Sequence, residues 1–198
     1  MKKILQKYLS LLSLVLVMSV PAFGSELSVI TNVMHEKTNS ILVILKDDKL
    51  LRCEQDSKIR EISKGLFDYS LMSRLSVGKK IWSKATPEQK KDFIHFFQMR
   101  MKKSYIEKAH LLSDEKVTVH DAVQVKPTRI YLTVMIEGKE KNTDIVYKYY
   151  RAKSGKWLIY DVSLAGISIL KTYRAQFKEV LDSGDIDKLI NQLKPSLT

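Results

Sequence analysis

A chain of 198 residues that is 44% hydrophobic has the length and apolar content for a single domain with a substantial core. Its 34 basic residues outnumber the 22 acidic ones by 12, a surplus that suits anionic partners or simply solvates the surface. With one cysteine, Cys53, an intrachain disulfide is excluded and the apolar core must hold the fold.

Residues 1–24 differ from everything after them. Lys2, Lys3 and Lys7 precede an uncharged run of 13 residues, "YLSLLSLVLVMSV", and "PAFG" then supplies small residues at Ala22 and Gly24. This is the pattern of a secretory signal peptide cleaved after Gly24. The run is short of the ~20 apolar residues a bilayer span requires. The expectation is therefore one exported domain over residues 25–198, with 31 basic against 22 acidic residues.

From Leu27 to Leu45, apolar residues recur at three- and four-residue spacing, the mark of a helix with one apolar face. A shorter helix is expected from Ser57 to Lys64, ended by Gly65. Cys53, in "LLRCEQD", has no histidine near it to activate it and reads as an ordinary structural thiol. Asp68 can cap one helical turn, and Gly78 breaks the chain before another. "ATPEQKKDF" is the best helix start: Thr86 caps, Pro87 suits the first position, and Gln89 closes a capping box. About six helical turns should follow, with Phe93, Phe96, Phe97, Met101, Tyr105, Ile106 and Ala109 on one side.

After "LLSDEK" the period changes from 3.6 to 2. "VTVHDAVQV", "RIYLTVMIE", "TDIVYKYYR" and "KWLIYDV" read as four strands joined by short polar connections, hence an antiparallel meander. Ile130, Leu132, Val134 and Ile136 share a face of the second strand, and Ile145, Tyr147 and Tyr149 a face of the third, so one face of the sheet is strongly apolar. A helix is expected from Gly166 to Leu181; Gly184 stops it, Asp185 caps a last helix through Leu193, and Pro195 ends that. The fold class is α+β: N-terminal helices, a curved four-stranded antiparallel sheet and a C-terminal helix pair, with helices packed on one face of the sheet.

Chemical motifs are sparse. The histidines at 35, 95, 110 and 120 are far apart and no H-E-x-x-H is present, so neither a metal site nor a cofactor is expected. Asp161, alone in an apolar strand, could serve as a general base or could hydrogen-bond backbone where strand becomes helix; the second reading is preferred. The lysines are spread over helix faces without a nucleic-acid motif, so no nucleic acid is expected.

Two segments carry a family resemblance. "SVGKKIWSKATPEQKKDFIHFFQMRMKKSYIEKA" resembles the L-G-x-x-W-x-x-A-T-P-E-Q segment and following helix of the periplasmic phospholipid-binding MlaC (toluene-tolerance) family. "GKWLIYDVSLAGISILKTYRAQFKEVLDSGDIDKLINQLK" is similar to that family's G-x-W-x-x-Y-D segment, its G-v-S turn and its closing helix. The sequence departs from the family at Ala165, where Glu often precedes the Gly.

The resemblance implies that the α+β elements form an NTF2-like cone enclosing an apolar cavity, and that the protein is a carrier in the periplasm, not an enzyme. It would act as a monomer, with phospholipid as cargo, shuttling lipid between an outer-membrane lipoprotein complex and the inner-membrane MCE-domain subunit of an ABC transporter. Exposing about 30 acyl methylenes at ~0.8 kcal/mol each costs on the order of 20 kcal/mol, so a carrier must enclose the tails. Trp82, Phe93, Phe97, Leu132, Val134, Ile136, Ile145, Tyr147, Leu158, Tyr160, Ile167, Leu170 and Tyr173 are the expected lipid-binding lining. Two rivals remain: a periplasmic holdase chaperone binding through exposed apolar surface, and an enzyme on a similar NTF2-like scaffold acting on an apolar substrate through Asp161 or a tyrosine.

Overall fold

The computed structural model describes residues 23–112, 115–138, 141–182 and 185–194. The expected leader cleavage, the Gly184 stop and the Pro195 end lie wholly or partly outside the described residues.

Five helices come first. They are α1 (Phe23–Leu45), α2 (Arg52–Ile62), α3 (Tyr69–Val77), α4 (Lys79–Lys84) and α5 (Pro87–His110). The caps are those the sequence specifies. The Thr86 N–H donates to Gln89 Oε1 at 2.9 Å, and the Gln89 N–H donates to Thr86 Oγ1 at 3.1 Å, satisfying two otherwise unpaired donors at the start of α5. Asp68 Oδ1 accepts the Leu71 N–H at 2.8 Å at the start of α3. Gly78 stands between α3 and α4 at φ 81°, and a Cβ there would lie 2.6 Å from Arg174 Nη2. Only glycine fits that place.

The sheet has six strands where four were expected. β1 (Lys116–Val119) and β2 (Val123–Lys126) both pair with β3 (Arg129–Glu137); β4 (Asn142–Arg151), β5 (Trp157–Leu164) and β6 (Ile167–Ser168) follow, each antiparallel to the last. The segment read as one strand is split because the Ala122 N–H donates instead to Thr31 Oγ1 of α1, at 2.9 Å. The helix expected from Gly166 starts at Ile169, since Ala165 (φ 48°) and Gly166 (φ 79°) form a two-residue turn that pairs Ile167 with Leu164. Left-handed backbone at both central positions is what a tight hairpin turn requires. α6 (Ile169–Asp182) and α7 (Ile186–Leu193) complete the chain, and Asp185 Oδ1 caps α7 through the Lys188 N–H at 2.9 Å.

A bulge sets the faces of β5. Lys148 pairs with Asp161 but the next residue, Tyr149, pairs with Ile159, so Tyr160 is extra and the alternation inverts there. Trp157, Ile159 and Val162 therefore share the apolar face with Tyr147 and Tyr149.

Three apolar clusters follow from this layout. One, between α1 and the sheet, contains Ile30, Met34, Ile130, Leu132 and Val134. A second is wholly helical, with Met72, Phe93, Phe97, Phe177 and Leu189 among its members. A third joins α1, α2 and α5 through Ile41, Leu45, Ile59 and Ile106. Glu26 of α1 holds Arg151 at 2.9 Å, and with the Thr31 bond this fixes α1 across the sheet.

Candidate functional site: an apolar cavity between sheet and helices

Between the apolar sheet face and the helices lies a cavity of about 350 Å³, within the usual ~300–1,000 Å³ of ligand pockets. The sheet contributes Val117, Val134, Ile136, Ile145, Tyr147, Val162 and Leu164. α1 adds Thr38, Ile41 and Leu42; α5 adds Met101, Tyr105 and Ala109; Phe67, Tyr69 and Ile169 complete the inner wall. Phe67 stacks on Tyr69 with ring centroids 5.6 Å apart and meets the Tyr105 edge at 5.7 Å, giving a continuous aromatic wall.

Exposure along each wall shows where the cavity opens. On α5, Met101 is buried, Tyr105 half-buried and Lys108 exposed; on β3, Val134 is buried and Ile136 half-buried; on β4, Tyr147 is buried and Ile145 and Thr143 half-buried. All three series open toward the C-terminal end of α5 and the β3–β4 hairpin. The rim carries Lys108, Leu111, Leu112, Glu115, Gly138 and Thr143, with Leu111 75% exposed.

The phenols in the wall are uncharged at ordinary pH. Burial pushes Tyr105 up to about 12, and burial together with the nearby Tyr105 pushes Tyr69 up to about 12. Tyr147 is raised further, chiefly by burial. The cavity wall is thus apolar and neutral, with its charges confined to the rim.

Of the residues expected to line a cavity, Val134, Ile136, Ile145 and Tyr147 do so. Leu132 is fully buried on the same sheet face, in the packed cluster under α1. Trp82, Phe93, Phe97, Leu170 and Tyr173 lie elsewhere, in or against the helical cluster, where Phe93 stacks on Phe97 at 5.6 Å and Tyr173 meets Phe97 at 5.2 Å. α5 spans both regions: the first half of its apolar stripe fills the helical core and the second half faces the cavity. Leu158 and Tyr160 are on the opposite sheet face because of the bulge; Leu158 pairs with Tyr150, and the Tyr160 ring lies 6.1 Å from the Tyr150 ring. Ile167 is 66% exposed on the short β6 strand.

Reading the sequence by stripes did not select Thr38, Ile41, Leu42, Phe67, Tyr69, Met101 or Tyr105 as lining. The apolar periodicity of α1 and α5 contains four of them; Phe67 and Tyr69 carried no signal beyond their side chains.

Asp161 is a structural anchor. Its carboxylate accepts from Lys148 Nζ at 2.8 Å, from Ser168 Oγ at 2.8 and 3.0 Å, and from the Leu170 N–H at 3.3 Å. Ser168 Oγ in turn accepts the Lys171 N–H at 3.2 Å, capping α6. Fully engaged and facing away from the cavity, Asp161 ties strand to helix. Asp68 accepts a second, short hydrogen bond from the Tyr150 hydroxyl, tying α3 to β4. Among the described residues no cluster of three or more His, Cys, Asp or Glu is placed to hold a metal ion, and no helix is long and apolar enough to cross a membrane.

Helices closed over one face of an antiparallel sheet, leaving an apolar cavity that opens at one end, define an α+β class of proteins built around an interior site. The family model of the MlaC protein matches residues 35–195, and the chain belongs to that family. A solved structure with the same fold is that of the phospholipid-binding protein from Ralstonia solanacearum in complex with a phospholipid, at a TM-score of 0.67 and 20% identity. The match covers 82% of this chain and 93% of that one. No curated protein sequence matches the chain.

Proposed function

We propose that this protein is a periplasmic phospholipid carrier that encloses acyl chains in the cavity and leaves the headgroup at the rim. The observation that carries this reading is the apolar, electrically neutral cavity opening at one end through a charged rim. Membership of the MlaC family, and the phospholipid held by the similar Ralstonia protein, support it. Each tail methylene kept from water contributes ~0.8 kcal/mol, so lipid leaves a bilayer only for a site that replaces most of those contacts. The lining offers aliphatic and aromatic surface and no catalytic constellation, which favours carriage over chemistry.

On this reading the protein receives and delivers lipid at protein complexes in the two membranes: an outer-membrane lipoprotein complex and an inner-membrane ABC transporter with an MCE-domain subunit, the traffic that maintains outer-membrane lipid asymmetry. Direction is set by those partners.

The test is extraction of an acyl-labelled, self-quenched fluorescent phospholipid from vesicles. The protein is expected to relieve quenching in proportion to its concentration and to saturate at a defined ratio. Fluorescence no greater than that given by the heat-denatured protein would refute the proposal.

A further inference from the structure

We propose that Lys108 and Glu115 form a two-charge rim that selects a zwitterionic headgroup, with a phosphate against Lys108 and an ammonium, as in phosphoethanolamine, against Glu115. The inference rests on the carrier reading and adds to it the class of headgroup carried.

Lys108 and Glu115 are, among the described residues, the charged side chains in the cavity lining, one of each sign, at the end where the cavity opens. Among the described residues neither side chain has a hydrogen-bond or ion-pair partner. Beside them Lys116 and Glu137 are paired with each other, Lys116 Nζ lying 2.9 Å from Glu137 Oε1. Among the described lining residues, what faces a ligand is one cation and one anion without a protein partner.

The order of side chains along α5 sets the depth of each part of the ligand. Met101, Tyr105 and Lys108 follow one another at helical spacing on the cavity side, passing from apolar to phenolic to charged. Tails then belong at Met101, ester groups at the level of the Tyr105 hydroxyl, and the phosphate at Lys108. Lys108 is in the last turn of α5, where the exposed carbonyl ends carry partial negative charge. That end favours a headgroup bringing a positive group with its phosphate over one that is purely anionic. Glu115 acts in the same sense by repelling a ligand with net negative charge.

The experiment is lipid competition read by native mass spectrometry. The full-length exported protein is incubated with vesicles of equimolar phosphatidylethanolamine and phosphatidylglycerol of identical acyl chains, and each bound lipid is counted by mass. The wild type is expected to favour phosphatidylethanolamine about two- to fivefold, the reach of a solvent-exposed ion pair. Glu115→Gln should lower the ratio toward or below one, and Lys108→Gln should raise it. Raising the salt concentration should compress the wild-type preference. Equal ratios in all three proteins at undiminished lipid load would overturn the selective rim while leaving the carrier reading intact. Absence of bound lipid from all three would overturn the carrier reading itself, and the rim with it.

Discussion

Replacing Val134 with tryptophan should close the cavity without unfolding the protein. Val134 is 4% exposed, sits opposite Ile145 on β4 and Val119 on β1, and its side chain faces the cavity. The indole adds on the order of seven heavy atoms where tail methylenes would lie. At about 0.8 kcal/mol for each methylene returned to water, the loss reaches about 5.6 kcal/mol. If the tails recover half of it by shifting along the cavity, about 2.8 kcal/mol remains, a weakening of roughly 100-fold.

The added ring occupies space that is open in the cavity of about 350 Å³, so the cost to folding should stay at or below the ~1–3 kcal/mol typical of an overpacked core. Thr133→Trp is the control. Thr133 pairs with Val146 on the opposite face, so the same ring one residue away points away from the cavity. Fluorescent phospholipid titration, with circular dichroism to verify folding, should show binding lost in the first variant and kept in the second. A folded Val134→Trp protein with full lipid load, or equal loss in both variants, would refute the placement of the lipid.

Asp161→Ala should remove about 3 kcal/mol, because it strands the Lys148 ammonium, whose side chain is 19% exposed, together with the Ser168 hydroxyl. For a domain of this size that is a fall in Tm of about 6–12 °C, and a fall under about 3 °C would contradict the anchoring role. Ala165→Gly should raise stability by about 0.5–1 kcal/mol by relieving left-handed backbone at φ 48°, and Gly166→Ala should lower it, as measured by denaturant melts. Tyr105 holds its proton more tightly when folded, its value raised from 10.0 to about 12 by burial. Its contribution of about 3 kcal/mol is complete below pH 10 and lost as pH rises from about 10 to 12. Ultraviolet titration should find Tyr105 phenolate appearing only near that limit or on alkaline unfolding; ordinary titration near pH 10 in the folded protein would contradict its burial.

Local chemistry made much of this fold legible. Thr86, Pro87 and Gln89 announced α5, Asp68 and Asp185 announced their helices, and the alternation in β3 put Val134 and Ile136 on the apolar face. What could not be read was which apolar partner each stripe would meet. Phe93 and Tyr105 lie on one stripe of α5, yet one is sealed among helices and the other faces the cavity, a division made by distant residues of α6, α7 and the sheet. The β5 bulge was invisible for a different reason. "WLIYDV" alternates acceptably in either register, and only pairing with β4 makes Tyr160 the extra residue, moving Leu158 and Tyr160 to the far face. The turn at Ala165 was masked because alanine rarely adopts a positive φ.

The most direct measurement of whether the cavity carries lipid is the intact mass of the protein purified from cells without detergent, recorded under native conditions and followed by organic extraction. The account expects a complex heavier than the chain by one or more phospholipids in defined ratio, with that lipid recovered in the extract. A bare mass that stays bare after incubation with phospholipid vesicles would contradict it.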